Sequence, residues 1–163
     1  MQMIGELIAA PSMSSVSPAF DTGNRGVIDK LAGWLESLGF SVEILPLPKQ
    51  PEKANLIATL GAGPGGLVLA GHTDTVPYDE GRWNFDPFKL TEAHGRLYGL
   101  GTTDMKAFLA LAVEAARNLS AGQLHHPLII LATADEESTM AGARQLVELG
   151  RPRGRYAVIG EPT

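Results

Sequence analysis

The spacing of apolar residues in the first part of the chain predicts one helix followed by two strands. The helix is indicated by apolar residues at helical spacing, namely Val27, Ile28, Leu31, Leu35 and Leu38. Gly39 followed by Phe40 is typical of a Schellman helix end, in which the glycine adopts a left-handed backbone. Val42 and Ile44 then alternate with polar residues, as does part of the segment NLIATL, so we expect two half-buried strands that pair like a hairpin.

From Leu67 onward the pattern changes to short continuous apolar runs that alternate with helices. The runs are LVLAG, LIILATA and YAVIG. The first intervening helix is indicated by Phe108, Leu109, Ala112 and Leu119, and the second, which Gly150 ends, by Met140, Ala143, Leu146 and Val147. Fully apolar strands that alternate with helices predict an α/β fold, in which a mostly parallel sheet is covered by helices on both faces.

Residues that commonly bind metal ions follow the predicted strands, at the point where each strand ends. These residues are His72 and Asp74 after LVLAG, Glu136 and Glu137 after LIILATA, Glu161 after YAVIG, and Asp104 after the glycine-rich YGLGTT. Because active sites of open α/β sheets lie beyond the carboxyl ends of the strands, we expect these side chains to converge. Clustered carboxylates raise one another's pKa unless a cation neutralises them. The imidazole among them favours zinc, cobalt or manganese over calcium or magnesium.

Each of these segments also has a simpler explanation. A His-Thr-Asp triplet is commonly a hydrogen-bonded loop, Asp104 could be a helix N-cap, and the acidic run 135–137 could be the solvated start of a helix. The metal hypothesis is preferred because separate segments would otherwise place such residues at strand ends by coincidence. The glycines of GAGPGG lack the lysine of a phosphate loop, so a turn is expected there. We expect surface roles for the remaining histidines, His94, His125 and His126.

Length, charge and composition narrow the function classes. With 163 residues the chain is long enough for one domain and short for two. A net charge of −5 without clustered basic residues argues against nucleic acid as a partner. No apolar run approaches the roughly 20 residues that a membrane helix needs. The absence of cysteine, and of lysine or arginine before Arg25, argues against a disulfide framework and a signal peptide. We therefore expect a cytoplasmic protein that acts on small polar molecules.

Several segments, taken in their order along the chain, resemble the family of dinuclear zinc aminoacylases, glutamate carboxypeptidases and succinyl-diaminopimelate desuccinylases. The segments are GHTDTVP, DEGRWNFDPF, GRLYGLGTTDMK, ATADEES and IGEPT. The resemblance begins at about Gly71 and implies a zinc-exopeptidase-like catalytic domain that residues 1–163 complete only in part. Residues 1–163 would be the amino-terminal portion of that domain, without the lid and dimerisation domain and without the carboxy-terminal segment that carries a further metal-binding histidine.

The resemblance also implies a metal-binding role for particular residues. Asp104 would bridge two zinc ions, for which cobalt is a possible substitute. His72 and Glu161 would complete the first site, and Glu137 would serve the second. Because the further histidine lies outside these residues, we expect residues 1–163 alone to bind at most one zinc ion firmly and to have little or no activity.

The catalytic roles implied by the resemblance fall on residues that do not bind the metal. Glu136 would be the general base, and Asp74 would orient the ring of His72, in keeping with the hydrogen bond that a metal-binding histidine usually makes through its other nitrogen. The resemblance further implies a cis peptide bond between Asp104 and Met105.

The segments GRW…DPF and TADEE favour the branch of the family that removes the acetyl group from N-acetyl-L-ornithine, giving ornithine and acetate in arginine biosynthesis. Desuccinylation of succinyl-diaminopimelate, deacetylation of another N-acyl amino acid such as acetylcitrulline, and a non-catalytic metal-binding or assembly module remain as alternatives. The substrate would be a small N-acyl amino acid, and the full-length form would be a homodimer. Uncovered apolar sheet surface would favour self-association of residues 1–163 alone.

Overall fold

The computed structural model describes residues 1–162, which form four α-helices and two β-sheets. The helices are α1 (Gln2–Ile8), α2 (Arg25–Ser37), α3 (Lys106–Ala116) and α4 (Ala141–Leu149). The strands are β1 (Ser41–Leu47), β2 (Gln50–Leu60), β3 (Leu67–His72), β4 (Thr91–Ala93), β5 (Arg96–Tyr98), β6 (Leu128–Thr133) and β7 (Tyr156–Ile159). Short 3-10 turns lie at Glu80–Arg82 and Ala121–Gln123. Among the described residues, no helix combines the length and hydrophobicity that crossing a membrane requires.

The larger sheet has the strand order β1-β2-β6-β3-β7. Strands β6, β3 and β7 are parallel neighbours, whereas β2 runs antiparallel to both β1 and β6. Four of the five strands therefore point in the same direction, which confirms the mostly parallel sheet and the hairpin-like pair at its start. The prediction that the second strand of this pair is half-buried is wrong, because residues 53–58 of β2 are buried on both faces. His72 pairs with Thr133, so the carboxyl ends of β3 and β6 lie side by side.

Helices cover both faces of this sheet, as predicted. Helices α1, α2 and α3 pack on one face, where Leu56 and Ile130 are fully buried. Helix α4 packs on the other face, where Leu146 contacts a smaller cluster that includes Ile57 and Val68. Successive residues of a strand point to opposite faces, so Leu56 and Ile57 of β2 contribute to different clusters.

The carboxyl ends of α2 and α4 follow from their sequences, because Gly39 and Gly150 have positive φ there. Gly39 has a φ of 84°, and the N–H groups of Gly39 and Phe40 donate to the carbonyls of Glu36 and Leu35, which confirms the Schellman motif. The prediction that Leu119 belongs to the helix after Asp104 is wrong, because α3 ends at Ala116. Asn118 and Ser120, which follow, are residue types that favour turns and helix ends over helix interiors. The prediction that Met140 belongs to the last helix is also wrong, because α4 begins at Ala141.

The hairpin of β4 and β5 was not predicted from the sequence. Its turn consists of His94 and Gly95, whose φ values are 52° and 70°. Two central residues with positive φ match the short hairpin turn that suits the twist of paired strands. The hairpin thus explains the position of His94 in a turn, where a surface role was expected.

Candidate metal centre

His72, Asp104 and Glu161 converge at the carboxyl end of the parallel strands. Nε2 of His72 lies 2.9 Å from Oδ1 of Asp104 and 3.6 Å from Oε2 of Glu161. Donor atoms at ~2.0–2.1 Å from a tetrahedral zinc ion are separated by roughly 3.3 Å. The two observed separations lie on either side of that value, so this donor set fits a divalent transition-metal ion.

A second group of donors shares His72 with the first. Ligand atoms of His72, Glu136 and Glu137 also lie within 4.8 Å of one another. The site residues expected from the sequence are therefore brought together from three strand ends and from the loop before α3. A cleft of about 260 Å³ borders the site, with Asp104 and Glu137 on its wall beside Trp83 and Val76.

Two glycines allow the start of α3 to approach the sheet. Gly71 and Gly160 each directly precede a member of the first donor group. A Cβ atom at Gly71 would lie 2.8 Å from Cε of Met105, and one at Gly160 would lie 2.1 Å from the ring of Phe108. The contact at Gly160 is with a ring that cannot bend away, so the close approach of α3 to the residue before Glu161 requires glycine there, whereas at Gly71 the tip of the Met105 side chain would have to shift.

The ring of His72 is buried and held at both nitrogens. Nδ1 lies 3.0 Å from the main-chain oxygen of Asp74 and 3.6 Å from its Oδ1, while Nε2 faces Asp104. Burial disfavours the charged ring, but hydrogen bonding and the negative charges of Asp74 and Asp104 outweigh it and raise the pKa of His72 to about 9. A metal ion that binds Nε2 must therefore displace a proton.

The carboxylates of the site are crowded. Burial and the nearby charge of Asp104 raise the pKa of Glu137 above its usual range. The pKa of Glu161 is raised for the same two reasons, although His72 opposes the shift. Carboxylates whose pKa is raised by burial and by one another's charge are stabilised in their ionised form by a cation.

Asp74 remains ionised in spite of its burial. Burial raises its pKa, but the ring of His72, whose Nδ1 lies 3.6 Å from Oδ1, and the hydrogen bond from the main-chain N–H of Glu137 lower it more. Its Oδ1 has no hydrogen-bond partner among the residues that the structure describes, and the ring of His72 and the buried ammonium group of Lys106 supply positive charge nearby. A buried, incompletely paired carboxylate oxygen beside the donor set is a further feature that suits a cation site.

The structure does not support the simpler explanations of Asp104 and of the acidic run, whereas the His-Thr-Asp triplet does form a hydrogen-bonded loop. The N-cap of α3 is Met105 rather than Asp104, and no side chain caps this helix. The peptide bond between Asp104 and Met105 is cis, as the resemblance implied. Asp135 is buried with a φ of 61°, and the next helix begins only at Ala141, so the acidic run is not a helix start.

The other histidines lie outside the site. Within residues 1–162, the groups of residues that could hold a metal ion contain His72 but not His94, His125 or His126. Nδ1 of His126 lies 3.2 Å from the main-chain oxygen of Pro64, in an exposed loop. These positions agree with the surface roles that we expected.

Sequence reasoning missed the buried charges that support the site. Nζ of Lys53 lies 2.5 Å from Oδ1 of Asp135 and 2.7 Å from Oδ1 of Asp21. Burial lowers the pKa of Lys53, but these two carboxylates outweigh it and leave the pKa raised. The sequence gives only a weak indication of this burial. Lys53 stands directly before the apolar half of β2, and a lysine on the protein surface would be equally ordinary at that position.

The sequence matches the profile of Peptidase family M20/M25/M40 over residues 68–163. An acetylornithine deacetylase from Pasteurella multocida (strain Pm70) is 58% identical over the whole chain, which covers 43% of that protein. An acetylornithine deacetylase from Proteus mirabilis (strain HI4320) is 56% identical, and the whole chain covers 42% of it. The crystal structure of human carnosine dipeptidase 1 superimposes with a TM-score of 0.77 at 30% identity, over 99% of this chain and 38% of that one.

These similarities agree with the geometry of the site. The chain spans less than half the length of the relatives that it matches. Its match to the family profile covers the candidate metal-binding residues, from His72 to Glu161. The family consists of metal-dependent hydrolases. The chain therefore belongs to Peptidase family M20/M25/M40.

Proposed function

We propose that the chain is the amino-terminal part of a metal-dependent amide hydrolase that removes the acetyl group from N-acetyl-L-ornithine. The observation that carries this proposal is the convergence of His72, Asp104 and Glu161 beside the neighbouring pair Glu136 and Glu137. The names of the relatives from Pasteurella multocida and Proteus mirabilis support the substrate. The products are ornithine and acetate, and the reaction serves arginine biosynthesis in the cytoplasm.

The metal-binding roles are those that the family resemblance implies, and the group of His72, Asp104 and Glu161 supports the first of the two sites. Asp104 would be shared by two divalent ions, His72 and Glu161 would complete one site, and Glu137 would serve the other. Zinc, with cobalt as a substitute, suits imidazole and carboxylate donors. Ions held there supply Lewis-acid chemistry and lower the pKa of water toward ~7. Asp74 holds Nδ1 of His72, which keeps Nε2 directed at Asp104.

Glu136 acts as the general base. Its carboxylate accepts a proton from the attacking water and passes it to the nitrogen of the leaving amine. The residue is half-buried, and its carboxylate lies within 4.8 Å of ligand atoms of His72 and Glu137. This proximity supports a division of labour in which Glu137 binds metal and Glu136 remains free to transfer the proton.

The test uses the full-length form of the protein. Hydrolysis of N-acetyl-L-ornithine, succinyl-diaminopimelate and N-acetyl-L-citrulline is compared, with metal content measured in parallel. Glu136→Gln is expected to keep its metal and to lose about 10²–10⁴-fold in kcat. Glu148→Gln, on the exposed side of α4, is the matched control and should behave as wild type.

Each outcome of that test bears on one part of the proposal. Retained turnover in Glu136→Gln removes Glu136 as the base. A preference for one of the other substrates replaces the acetylornithine assignment. A protein that binds metal but hydrolyses none of the three is a binding or assembly module rather than a deacetylase.

Residues 1–163 on their own are expected to bind one zinc ion firmly, through His72, Asp104 and Glu161. Both donor groups of the described residues use His72, so a second ion would lack an imidazole of its own. Equilibrium dialysis with metal analysis gives the stoichiometry. A value near two ions for each chain contradicts this expectation.

A further inference from the structure

Lys53 is a charged residue of β2, buried beside the turn that carries Glu136 and Glu137. Its side chain is 2% exposed. Nζ donates to Oδ1 of Asp135 at 2.5 Å and to Oδ1 of Asp21 at 2.7 Å. Because a buried ammonium group is tolerated when it is paired and hydrogen-bonded, these two carboxylates compensate for the loss of its hydration.

The carboxylate of Asp135 is the centre of the turn. Besides Lys53, it accepts hydrogen bonds from the hydroxyls of Ser14, Ser138 and Thr139. The main-chain oxygen of Asp135 accepts a further bond from the N–H of Met140 at 2.7 Å. The segment 135–140 is therefore folded around the side chain of its own first residue.

The backbone conformation at Asp135 directs its own side chain inward, while the side chains of Glu136 and Glu137 face the site. Its φ of 61° is left-handed, a conformation that Asp adopts more readily than most residues. Asp135 is 1% exposed, whereas Glu136 and Glu137 are only partly buried. Any displacement of Asp135 would therefore move both glutamates.

Lys53 is the charged link between this turn and β2. Two hydrogen bonds also hold the segment after β6, since the N–H of Ala134 donates to Oδ1 of Asn55 at 2.9 Å and the N–H of Glu137 donates to Oδ2 of Asp74 at 3.0 Å. The hydroxyls of Ser138 and Thr139 belong to the turn itself, so they cannot fix its position relative to other elements. Ser14 lies on a separate loop, but its bond to Asp135 is longer, at 3.2 Å. Lys53 joins Asp135 with opposite charge at 2.5 Å, from the strand that pairs with β6.

We infer that Lys53 is a positioning residue, which sets the location of Glu136 and Glu137 by fixing Asp135 against β2. This inference rests on the proposed function, in which Glu137 binds the second metal ion. This role does not require Lys53 to contact either glutamate. It acts through the turn.

The experiment titrates the full-length protein with Co²⁺ and follows the visible absorption spectrum, which reports the coordination of each ion. Lys53→Met keeps the length of the side chain and removes its charge. It is expected to weaken binding of the second ion 10–100-fold and to alter its spectrum, in line with other residues that orient metal ligands. Lys53→Arg should restore part of the affinity. In a Glu137→Gln background, Lys53→Met should cause no further loss.

Two controls separate positioning from general destabilisation. Urea unfolding establishes that each variant is folded under the titration conditions. Asp21→Asn removes the negative charge of the other partner of Lys53 but leaves its pair with Asp135, so binding of the second ion should be unchanged.

The outcomes distinguish this inference from the proposal on which it rests. If Lys53→Met binds both ions with wild-type affinity and spectrum, the positioning role is wrong and the metal assignment stands. The positioning role is also wrong if Lys53→Met weakens binding equally with and without Glu137. If Glu137→Gln itself binds the second ion as tightly as wild type, the proposed role of Glu137 fails, and the inference fails with it.

Discussion

The main-chain N–H of Glu137 donates to Oδ2 of Asp74 at 3.0 Å. This bond joins the segment after β6 to the segment after β3, next to the main-chain bond between Thr73 and Thr133 at 2.9 Å. The spacing between His72 and Glu137 is therefore set partly by backbone contacts. Because these contacts already hold the donors in place, loss of the proton from His72 is a main free-energy cost of metal binding.

Metal affinity is expected to rise with pH. The pKa of His72 is raised to about 9, so below that pH a metal ion competes with a proton for Nε2. The dissociation constant for Co²⁺ should therefore fall about tenfold for each pH unit between roughly pH 6 and 9. Isothermal titration calorimetry in buffers of different ionisation enthalpy measures both the affinity and the proton released.

The exposed His126 provides the control for this pH dependence. His126→Ala should keep the wild-type slope, whereas His72→Ala should lose firm binding at every pH. A slope near zero in the wild type would mean that Nε2 of His72 is already free of a proton, contrary to the raised pKa.

Gly160→Ala is expected to weaken both the fold and the metal site. The added Cβ would lie 2.1 Å from the ring of Phe108, and overpacking of this kind costs about 1–3 kcal/mol. Displacement of β7 should also lower the affinity for Co²⁺, because Glu161 is the next residue. Gly33→Ala is the control, since a Cβ there meets nothing within 4 Å and the helix should gain about 0.5–1 kcal/mol. Urea unfolding measures the stability of both variants. If Gly160→Ala is as stable as the wild type, the predicted steric clash with Phe108 is wrong.

The pair of Lys53 and Asp135 should stabilise the fold until the solution becomes strongly acidic. Burial raises the pKa of Asp135, but hydrogen bonds from Lys53, Thr139 and Ser138 lower it to about 2. An unfolded Asp titrates near ~3.9, so this contribution is complete above about pH 4 and is lost as the pH falls toward 2. The loss should amount to about 2 kcal/mol of unfolding free energy.

Asp135→Asn tests that contribution directly. The difference in unfolding free energy between wild type and variant should shrink as the pH is lowered from about 5 to 2. Curves that remain parallel across this range would show that Asp135 has the same pKa in the folded and unfolded chains.

Residues 1–163 are expected to self-associate through β7. This strand ends the sheet among the described residues, with Tyr156, Val158 and Ile159 48–66% exposed. It borders an apolar groove of about 580 Å³ against α4. Exposed strand edges pair readily, and a lysine on the edge opposes this pairing. Sedimentation velocity should show dimers or larger species for the wild type and monomers for Val158→Lys. Val16→Lys is the control and should behave as the wild type. A monomeric wild type contradicts the expectation.

The sequence was sufficient for the features that depend on local patterns. Helix α2 and its end at Gly39 follow from helical spacing and the conformational freedom of glycine. The continuous apolar runs LVLAG and LIILATA indicated parallel strands buried on both faces. The order of the strands did not follow, because β2 inserts between β1 and β6 through contacts between residues far apart in sequence.

The residues of the site could be predicted from local sequence patterns, whereas the tertiary contacts that support them could not. His72, Asp104 and Glu161 stand out because strand ends and glycine-rich loops concentrate functional residues. The buried pair of Lys53 and Asp135 was missed, because both residues occur most often on surfaces and only tertiary contacts bring them within 2.5 Å.

The donors of the first group are held with unequal rigidity. His72 ends a strand with neighbours on both sides, whereas Glu161 follows β7, which pairs with β3 alone among the described residues. Amide hydrogens of β7 should therefore exchange with solvent sooner than those of β3, and a bound ion should slow that exchange. In such an arrangement the ion cross-links the edge strand β7 to the rest of the sheet. Removal of the ion by a chelator would therefore increase local unfolding of this edge while the rest of the fold stays intact.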